Sequence, residues 1–280
     1  MNTHLINDRS KNKNLTLQNG SVLKTFDILD CFSLDNPYQR LRDICLITGM
    51  NRSTVLRFLN SLNQIGIVEK EQNGTYKLGI KLFELGIKVD VNQSLANKAQ
   101  PILHNLVEVV QESAHMVIRD KVEVLYILKE ECLQSIQISS SIGSKLPMYC
   151  TGVGKAFLAF MDDDYLSVYY TYQKLKKRTE NTSVSARKLN LELDMIRESF
   201  ISIDNEEFAQ HLYCVATPVF DSNSNPVAAI SVSGLKDRMI NKKNILTQKV
   251  LDAGKSITKE IGGIYPYIVI NKTTGVKHGI

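Results

Sequence analysis

The sequence predicts an α/β (α+β) chain with two domains: a small helical domain that ends in a hairpin, and a larger domain whose mostly antiparallel sheet is flanked by helices. Up to about residue 112, apolar residues recur mainly at helical spacing. From His115 onward, short β-rich runs are grouped around turns, with helical stretches between the groups. A chain of 280 residues, 43% of them hydrophobic, has enough apolar side chains for two cores of ordinary size.

The bulk composition excludes several classes of protein. No apolar run approaches the roughly 20 residues that a membrane span needs, and the polar start of the chain lacks the apolar stretch of a signal peptide. Residues 1–20 are expected to form a disordered tail. The five cysteines are widely spread without a Cys-x-x-Cys pair, which favours a reducing compartment over a disulfide framework. We therefore expect a cytoplasmic protein that does not associate with a membrane.

Two helices open the first domain, which is predicted over residues 21–80. Residues 21–32 carry apolar side chains at helical spacing, with Ser21 as the expected N-cap. Asp35-Asn36-Pro37 breaks this helix, and a short apolar helix follows from Leu41. Thr48-Gly49-Met50 then turns the chain toward a third helix.

The third helix carries the strongest functional signal. Asn51 can cap it, and its exposed and buried faces are easily separated by spacing. Short polar groups and an arginine on one face suit a helix in the major groove of DNA, where base edges offer hydrogen-bond donors and acceptors. The predicted buried stripe is Val55, Leu56, Leu59 and Leu62, and the opposite face holds Ser53, Arg57, Asn60 and Gln64.

A hairpin follows this helix. After Ile65-Gly66 a short strand reaches Asn73-Gly74, the strongest two-residue hairpin signal, and a second strand returns through residues 75–78. Helix, turn, helix and hairpin in this order predict a winged helix-turn-helix, with the hairpin as its wing. The alternative is a small helical subdomain of the same shape that does not bind DNA.

Positive charge is concentrated in this stretch. The formal net charge of the whole chain is only +5, but residues 40–81 hold seven basic side chains against three acidic ones. The first 39 residues balance at four against four. A basic patch that coincides with the motif favours DNA binding, because neutralising phosphates supplies most of the sequence-independent affinity.

The second domain is predicted over residues 99–263, after a helical linker at 81–98 and before a C-terminal tail at 264–280. Pro101 is expected near the start of a helix that runs to about Glu112. The remaining elements are predicted as strands at 115–119, 122–128, 136–139, 212–220 and 227–233, and as helices at 152–161, 189–200 and 245–261.

Three enzyme-like patterns are weak. Gly152-Val153-Gly154-Lys155 lacks the glycine and the Ser or Thr of a phosphate-binding loop, because Tyr149 and Ala156 occupy those places. A metal site at His211 and Cys214, with His115 and Cys132 as distant candidates, has no complete ligand set nearby. Asp204 and Glu207 could form an acid–base pair, yet no nucleophile or cofactor motif accompanies them. We expect no cofactor, no metal and no catalysis.

From residue 21 to residue 263 the chain resembles the IclR family of bacterial transcriptional regulators. The first domain is similar in Thr48-Gly49-Met50-Asn51-Arg52-Ser53-Thr54-Val55 and in Tyr76-Lys77-Leu78-Gly79. The second is similar in LPMYCTGVGKAFLA (146–159), DNEEFAQHLYCVATPVFD (204–221) and VAAISVSG (227–234). Together with the pattern above, the resemblance implies that DNA contacts come from Asn51, Arg52, Ser53, Thr54, Arg57, Asn60 and Lys77.

The resemblance also implies a ligand pocket in the second domain for small organic or sugar-derived acids. Backbone N–H groups at Gly152 and Val153 would bind a carboxylate, and Ser231 would add a hydroxyl. Asp204 would accept a hydrogen bond from a ligand hydroxyl or orient its loop. The implied pocket residues are Leu146, Gly152, Val153, Asp204, Leu212, Cys214 and Ser231, with Ile138 and Ser233 as further candidates.

The sequence departs from the family pattern at three places where that pattern has glycine: His211, Phe200-Ile201 and Asn225-Pro226. His211 is expected to matter most, since a bulky titratable side chain beside the pocket strand would change which ligand fits.

The resulting hypothesis is a homodimeric or homotetrameric regulator, most simply a repressor, that binds double-stranded operator DNA and responds to a small carboxylate effector. One alternative is an enzyme with a fused helical domain that uses Asp204 and Glu207. Another is an architectural DNA-binding protein whose second domain only oligomerises. Incubation with a panel of metabolites distinguishes these three hypotheses. A sensor is stabilised by a ligand that stays unaltered, an enzyme forms a product, and an architectural protein shows no shift in stability.

Overall fold

A computed structural model describes residues 19–88, 93–132 and 141–266 of the chain. The chain divides into two compact units, Met1–Val91 and Asn92–Ile280. None of the helices in the described residues has the length and apolar character needed to cross a bilayer.

The first unit consists of short helices and a small antiparallel sheet with the strand order β1-β3-β2. The first strand of this sheet, which runs into the second helix, was not predicted. The elements are α1 Gly20–Leu29, β1 Gln39–Arg40, α2 Leu41–Thr48, α3 Arg52–Gln64, β2 Val68–Lys70, β3 Thr75–Leu78 and α4 Ile80–Gly86.

Capping residues fix the ends of these helices. The side chain of Asn19 accepts a hydrogen bond from the backbone N–H of Ser21 at 3.0 Å, so that the prediction of Ser21 as the cap of α1 is wrong. Gly49 ends α2 at a left-handed φ of +68°, which glycine adopts without steric cost. Asn51 caps α3 as predicted, through its Oδ1 and the N–H of Thr54 at 2.9 Å.

The core of the first unit follows the predicted stripe of α3 with one exception. Val55, Leu59 and Leu62 are buried, but Leu56 is 37% exposed and was wrongly assigned to the core. Leu56 is one position beyond Val55, about 100° around the helix, and therefore lies at the edge of the apolar face.

The wing has a three-residue loop rather than the predicted two-residue one. The N–H of Gly74 donates to the carbonyl of Glu71 at 3.0 Å, and the N–H of Glu71 donates to the carbonyl of Thr75 at 2.8 Å. Gly74 alone in this loop has positive φ, at +81°. A two-residue type I′ turn would require positive φ at Asn73 as well, and Asn73 instead accepts two hydrogen bonds from Thr75.

The second unit is one six-stranded sheet, entirely antiparallel, with the order β6-β5-β4-β9-β8-β7. Helices cover both of its faces. Its elements are α5 Gln93–Val110, β4 Ser113–Asp120, β5 Glu123–Glu130, β6 Lys145–Pro147, α6 Gly152–Leu158, α7 Asp163–Tyr172, α8 Ala186–Ser199, β7 Ser202–Asn205, β8 Leu212–Phe220, β9 Pro226–Leu235, α9 Lys236–Ile240 and α10 Lys243–Glu260.

The two faces of the sheet carry separate cores. On one face α5 and α10 pack through residues such as Leu103, Leu106 and Val250. On the other face α6, α7 and α8 pack through Phe157, Tyr169 and other apolar residues. Because both faces are covered, β8 is buried at eight of its nine positions and shows no alternation.

The long helix α5 corrects the predicted linker. It runs without interruption from Gln93 to Val110 with Pro101 inside it, whereas the sequence predicted a linker helix that ended before a second helix at Pro101. Leu95, Ala99, Leu103 and Leu106 form one buried stripe across the proline. Continuous burial outweighs the hydrogen bond that proline cannot donate. The strand predicted at 136–139, with Ile138, lies outside the described residues.

Two of the three departures from the family pattern adopt the backbone conformation that glycine favours. Phe200 ends α8 at φ +57°, and His211 has φ +62°. In the turn at Asn225-Pro226 the left-handed residue is Ser224, at φ +60°. The ring of Phe200 stacks on Phe160 with centroids 5.3 Å apart and also contacts Phe220 and Tyr265. Aromatic packing therefore holds Phe200 in a strained conformation.

We expect Phe200→Gly to lower the free energy of unfolding by about 2–3 kcal/mol, because the lost ring contacts outweigh about 1 kcal/mol of relieved backbone strain. Gln111 is a matched control, since it has φ +55° but an exposed side chain. Gln111→Gly should raise the free energy of unfolding by up to about 1 kcal/mol. Urea denaturation measures the free energy of unfolding of both variants. A Phe200→Gly protein more stable than the wild type would contradict this account.

Candidate functional site

The polar face of α3 is open to solvent in the first unit. Arg52, Ser53, Arg57, Asn60 and Gln64 are all exposed, as the helical spacing predicted. The hydroxyl of Ser53 donates to Asn51 Oδ1 at 2.9 Å, so both residues take part in the helix cap. Thr54 is half-buried, and its backbone N–H rather than its side chain serves the cap.

A basic groove of about 540 Å³ lies beside the start of α3. It runs between α2, α3 and the tip of the wing, where Asn73 and Gly74 form its far wall. Arg40, Arg42 and Arg52 line it, and within the described residues none of the three makes an ion pair. Unpaired guanidinium groups around a groove of this kind are suited to phosphate oxygens.

Lys77 differs from these arginines. Its ammonium lies 2.7 Å from Glu71 Oε1 and 3.3 Å from Glu69 Oε2, both on or beside β2. Hydrogen bonds to these two carboxylates raise the pKa of Lys77. A phosphate would have to compete with both glutamates for this lysine, so the wing offers less free positive charge than the sequence suggested.

The second unit contains a buried pocket of about 50 Å³ where the start of α6 meets the sheet. All seven residues expected from the family resemblance line it, together with Ser233. Sequence reasoning missed Tyr126, Thr151 and Phe208. Thr151 had a local signal, since a threonine directly before a glycine-rich helix start is a typical N-cap, whereas Tyr126 reaches the pocket only through the register of β5.

Strand register brings the pocket residues together. Asp204 on β7 lies opposite Cys214 on β8, and Cys214 lies opposite Ser233 on β9. Ser231 is two residues before Ser233 and therefore points to the same face. Residues that are distant in the sequence thus form one wall, and the first turn of α6 closes the pocket.

Glycine allows α6 to approach the sheet closely. A Cβ atom on Gly152 would lie 3.3 Å from Ala216 Cβ and 3.5 Å from Cys214 Cβ, and one on Gly154 would overlap the backbone of Met148. Thr151 caps the helix by accepting from the N–H of Gly154 at 3.2 Å. Close packing, rather than phosphate binding, therefore explains the glycines of Gly152-Val153-Gly154-Lys155.

Asp204 is the acidic group of the pocket and is 1% exposed. Its Oδ1 accepts hydrogen bonds from the backbone N–H of Glu207 at 2.7 Å and of Phe208 at 3.3 Å. Burial and, less strongly, the charge of Glu207 raise the pKa of Asp204 to about 7, against the opposing effects of Lys155 and of the two backbone hydrogen bonds. Burial also raises the pKa of Tyr126 and of Cys214, so both stay neutral.

A buried lysine lies behind the pocket. The side chain of Lys155 on α6 is fully buried, and its ammonium contacts the carboxylates of Glu192 on α8 and Glu207 after β7. It also donates to the carbonyl of Ile203 at 2.7 Å. This cluster was not predicted from the sequence, because the two glutamates are 37 and 52 residues from the lysine.

His211 does not shape the pocket. It is exposed in the turn before β8 and lines a separate surface depression with Glu206 and Asn181. The expectation that its side chain selects the ligand is therefore wrong. Since Cys214 is buried in the pocket, the two residues do not approach as a metal pair, and the described residues contain no group of three or more potential ligands placed to hold a metal.

Comparison with known proteins identifies the family. Residues 21–72 match the IclR helix-turn-helix domain, and residues 88–259 match the bacterial transcriptional regulator IclR C-terminal domain. The chain belongs to the IclR family. The regulator KdgR of Escherichia coli is 33% identical over 76% of this chain and 81% of its own length, and the transcriptional repressor IclR of the same species is 30% identical over 87% and 90%.

A solved IclR structure agrees with the fold. The Thermotoga maritima IclR is 30% identical and superimposes with a TM-score of 0.67 over 85% of this chain and 98% of its own. As a member of the IclR family, this protein is a DNA-binding transcriptional regulator with an N-terminal helix-turn-helix and an α+β second domain. The enzyme hypothesis is set aside, since the relatives are named as regulators and repressors.

Proposed function

We propose that the protein represses transcription by binding a two-fold symmetric operator through α3, and that a small carboxylic acid in the pocket changes this binding. The observation that carries the proposal is the convergence of all seven expected ligand residues on one buried pocket, in a chain whose other unit has an exposed polar recognition face. A relative named as a transcriptional repressor supports repression over activation. Such a regulator acts where bacterial DNA is, in the cytoplasm.

The size of the pocket limits the effector. A volume of about 50 Å³ holds about three or four water molecules, which corresponds to an acid of two or three carbons in this conformation. Backbone N–H groups at Gly152 and Val153, with the hydroxyls of Ser231 and Ser233, supply hydrogen-bond donors. Leu146, Leu212 and Phe208 supply the apolar wall.

Arg57 tests the DNA-reading face. A bidentate contact with guanine is worth about 1–3 kcal/mol, so Arg57→Ala should weaken operator binding about tenfold to hundredfold and leave binding to random DNA nearly unchanged. Arg52→Ala is the matched control and should weaken all sequences evenly and reduce the salt dependence. Lys77→Ala should act like Arg52→Ala but more weakly, because Glu69 and Glu71 already hold Lys77. Fluorescence anisotropy measures the DNA affinity of all three variants. Equal losses of affinity for operator and random DNA in Arg57→Ala would refute the role of Arg57.

Exposed apolar residues in the first unit support self-association. Ile80, Phe83 and Ile87 in and after α4 are 64%, 65% and 52% exposed, and Phe26 on α1 is 59% exposed. A solvated connector would not need them. We therefore place a second copy of the chain on this surface, which gives a homodimer or, with a further interface, a homotetramer.

Phe83→Glu should shift the protein toward monomer and weaken operator binding at least tenfold, since a dimer combines the binding free energies of two half-sites. Leu34→Glu is the control, because Leu34 is a similarly apolar residue, 77% exposed, in the loop between α1 and β1 rather than in or after α4. Light scattering at micromolar concentration measures the assembly. A wild-type monomer that still binds operator would show that these residues dock elsewhere.

Asp204 tests the effector site. Asp204→Ala removes a buried hydrogen-bonding group worth about 1.5–3 kcal/mol, so acid affinity should fall about tenfold to hundredfold while operator binding is kept. Gly152→Val would be a poor test of the same site, since its side chain would crowd β8 as well as the pocket. Thermal shift with a panel of small acids reports the affinity, and an Asp204→Ala protein that responds at wild-type concentrations would exclude Asp204 from the site.

A further inference from the structure

The pocket is proposed to bind an acid, yet no cationic side chain lines it among the described residues. Its eleven lining residues include neither lysine, arginine nor histidine, and their one carboxyl group is Asp204. Among the described residues, an anion that enters therefore meets an acidic group and no side-chain counter-charge.

The nearest buried cation does not compensate for this. The ammonium of Lys155 contacts Glu192, Glu207 and the carbonyl of Ile203, which engage its three protons. With Asp204, the cluster combines three carboxyl groups and one ammonium, a net charge of −2 if all are ionised. Burial of this excess negative charge costs free energy, and the uptake of one proton by a carboxylate lowers that cost.

Asp204 is adjacent to the place where the carboxylate is proposed to bind. The backbone nitrogen of Asp204 lies 3.6 Å from the position that a Cβ on Gly152 would take. Its Oδ1 is occupied by the N–H groups of Glu207 and Phe208, whereas Oδ2 has no hydrogen bond recorded within the described residues. Asp204 lines this pocket of about 50 Å³, which leaves little space between its carboxyl group and a carboxylate bound there.

We propose that the effector is a monocarboxylate that binds together with one proton. Asp204 carries this proton on Oδ2 and donates it in a hydrogen bond to the ligand carboxylate. Dicarboxylates are excluded from the pocket. This inference rests on the proposed effector function of the pocket. It assigns Asp204 the role of donor, where the sequence suggested an acceptor. The proton comes from solvent, and no covalent bond of the ligand changes.

The surroundings of Asp204 agree with a proton held near neutrality. Its pKa is raised to about 7, first by burial and then by Glu207, against the opposing effect of Lys155. The thiols of Cys150 and Cys214 and the phenol of Tyr126 have pKa values raised by burial and stay neutral. The charged groups around Asp204 are Glu207 in the following loop, Lys155 on α6, Glu192 on α8, and Arg178, whose Nε donates to the carbonyl of Phe208. The neutral titratable groups are Cys214 on β8, Tyr126 on β5 and Cys150 before α6.

The pH dependence has a defined sign. Above pH 7 the empty pocket loses the proton of Asp204, and binding must take one up again, so that affinity falls as pH rises by up to tenfold per pH unit. With a pKa of about 7, affinity at pH 8 should be about tenfold lower than at pH 6. If Asp204 instead accepted a hydrogen bond from a ligand hydroxyl, affinity would rise over the same range.

Isothermal titration calorimetry of the full-length protein with acetate, glycolate, lactate and pyruvate at pH 6, 7 and 8 tests the proposal. The tightest monocarboxylate should bind about tenfold more weakly at pH 8 than at pH 6. Titration in buffers of different ionisation enthalpy should show uptake of close to one proton at pH 8. Lactamide, a neutral analogue of lactate, should show no such pH dependence, and malonate should not bind.

Two variants separate the donor from a structural role. Asp204→Asn keeps an oxygen for the two backbone N–H groups and presents a permanent donor, so its affinity should be equal at pH 6 and pH 8. Glu207→Gln removes the neighbouring charge but keeps an acceptor for Lys155, so the midpoint of the pH profile should move to lower pH. A loss of packing alone would not move that midpoint.

The outcomes distinguish this inference from the function beneath it. Equal wild-type affinity for a monocarboxylate at pH 6 and pH 8, or tighter binding at pH 8, overturns the proton-linked site and leaves effector sensing intact. Failure of every acid to bind at pH 6 contradicts effector sensing itself, and the inference with it.

Discussion

The close approach of α6 to the sheet is the constraint on which the pocket proposed for the effector depends. Gly152 brings the first turn of the helix to within van der Waals distance of β8, and Gly154 leaves room for the backbone of Met148. Lys155, the next residue, then ties the helix to α8 and to the loop after β7 through buried charges. The cap, the close packing and the buried lysine of this helix all border the same small cavity.

The buried charges around Lys155 have a further consequence for the pocket. Removing one partner from a buried ion cluster is strongly destabilising, because the remaining charge stays without compensation. The ammonium pairs with one oxygen of Glu192 and one of Glu207. The second oxygen of Glu207, Oε2, is buried without a hydrogen bond among the described residues, and burial opposes the ionisation of both Glu207 and Asp204. Burial is therefore the main reason that the pKa of Asp204 is raised, and Lys155 opposes the effect.

The sequence predicted much of this protein because several of its signals are local. The N-cap of α3 and the buried stripe of Val55, Leu59 and Leu62 depend on residues within a few turns of each other. The pocket residues were found through the family resemblance rather than from periodicity. The cluster of Lys155 with Glu192 and Glu207 was missed because pairing across the fold leaves no local pattern. The uninterrupted helix through Pro101 was missed because tertiary burial overrode a local breaker.

The central claim is that one chain joins a DNA-reading helix to a pocket for a small acid. Footprinting of the full-length protein on the DNA that flanks its own gene, with and without the small monocarboxylates, tests this most directly. The account predicts a protected segment with two-fold symmetry whose protection changes when an acid is added. Protection that no acid alters, or no protection at all, would contradict it.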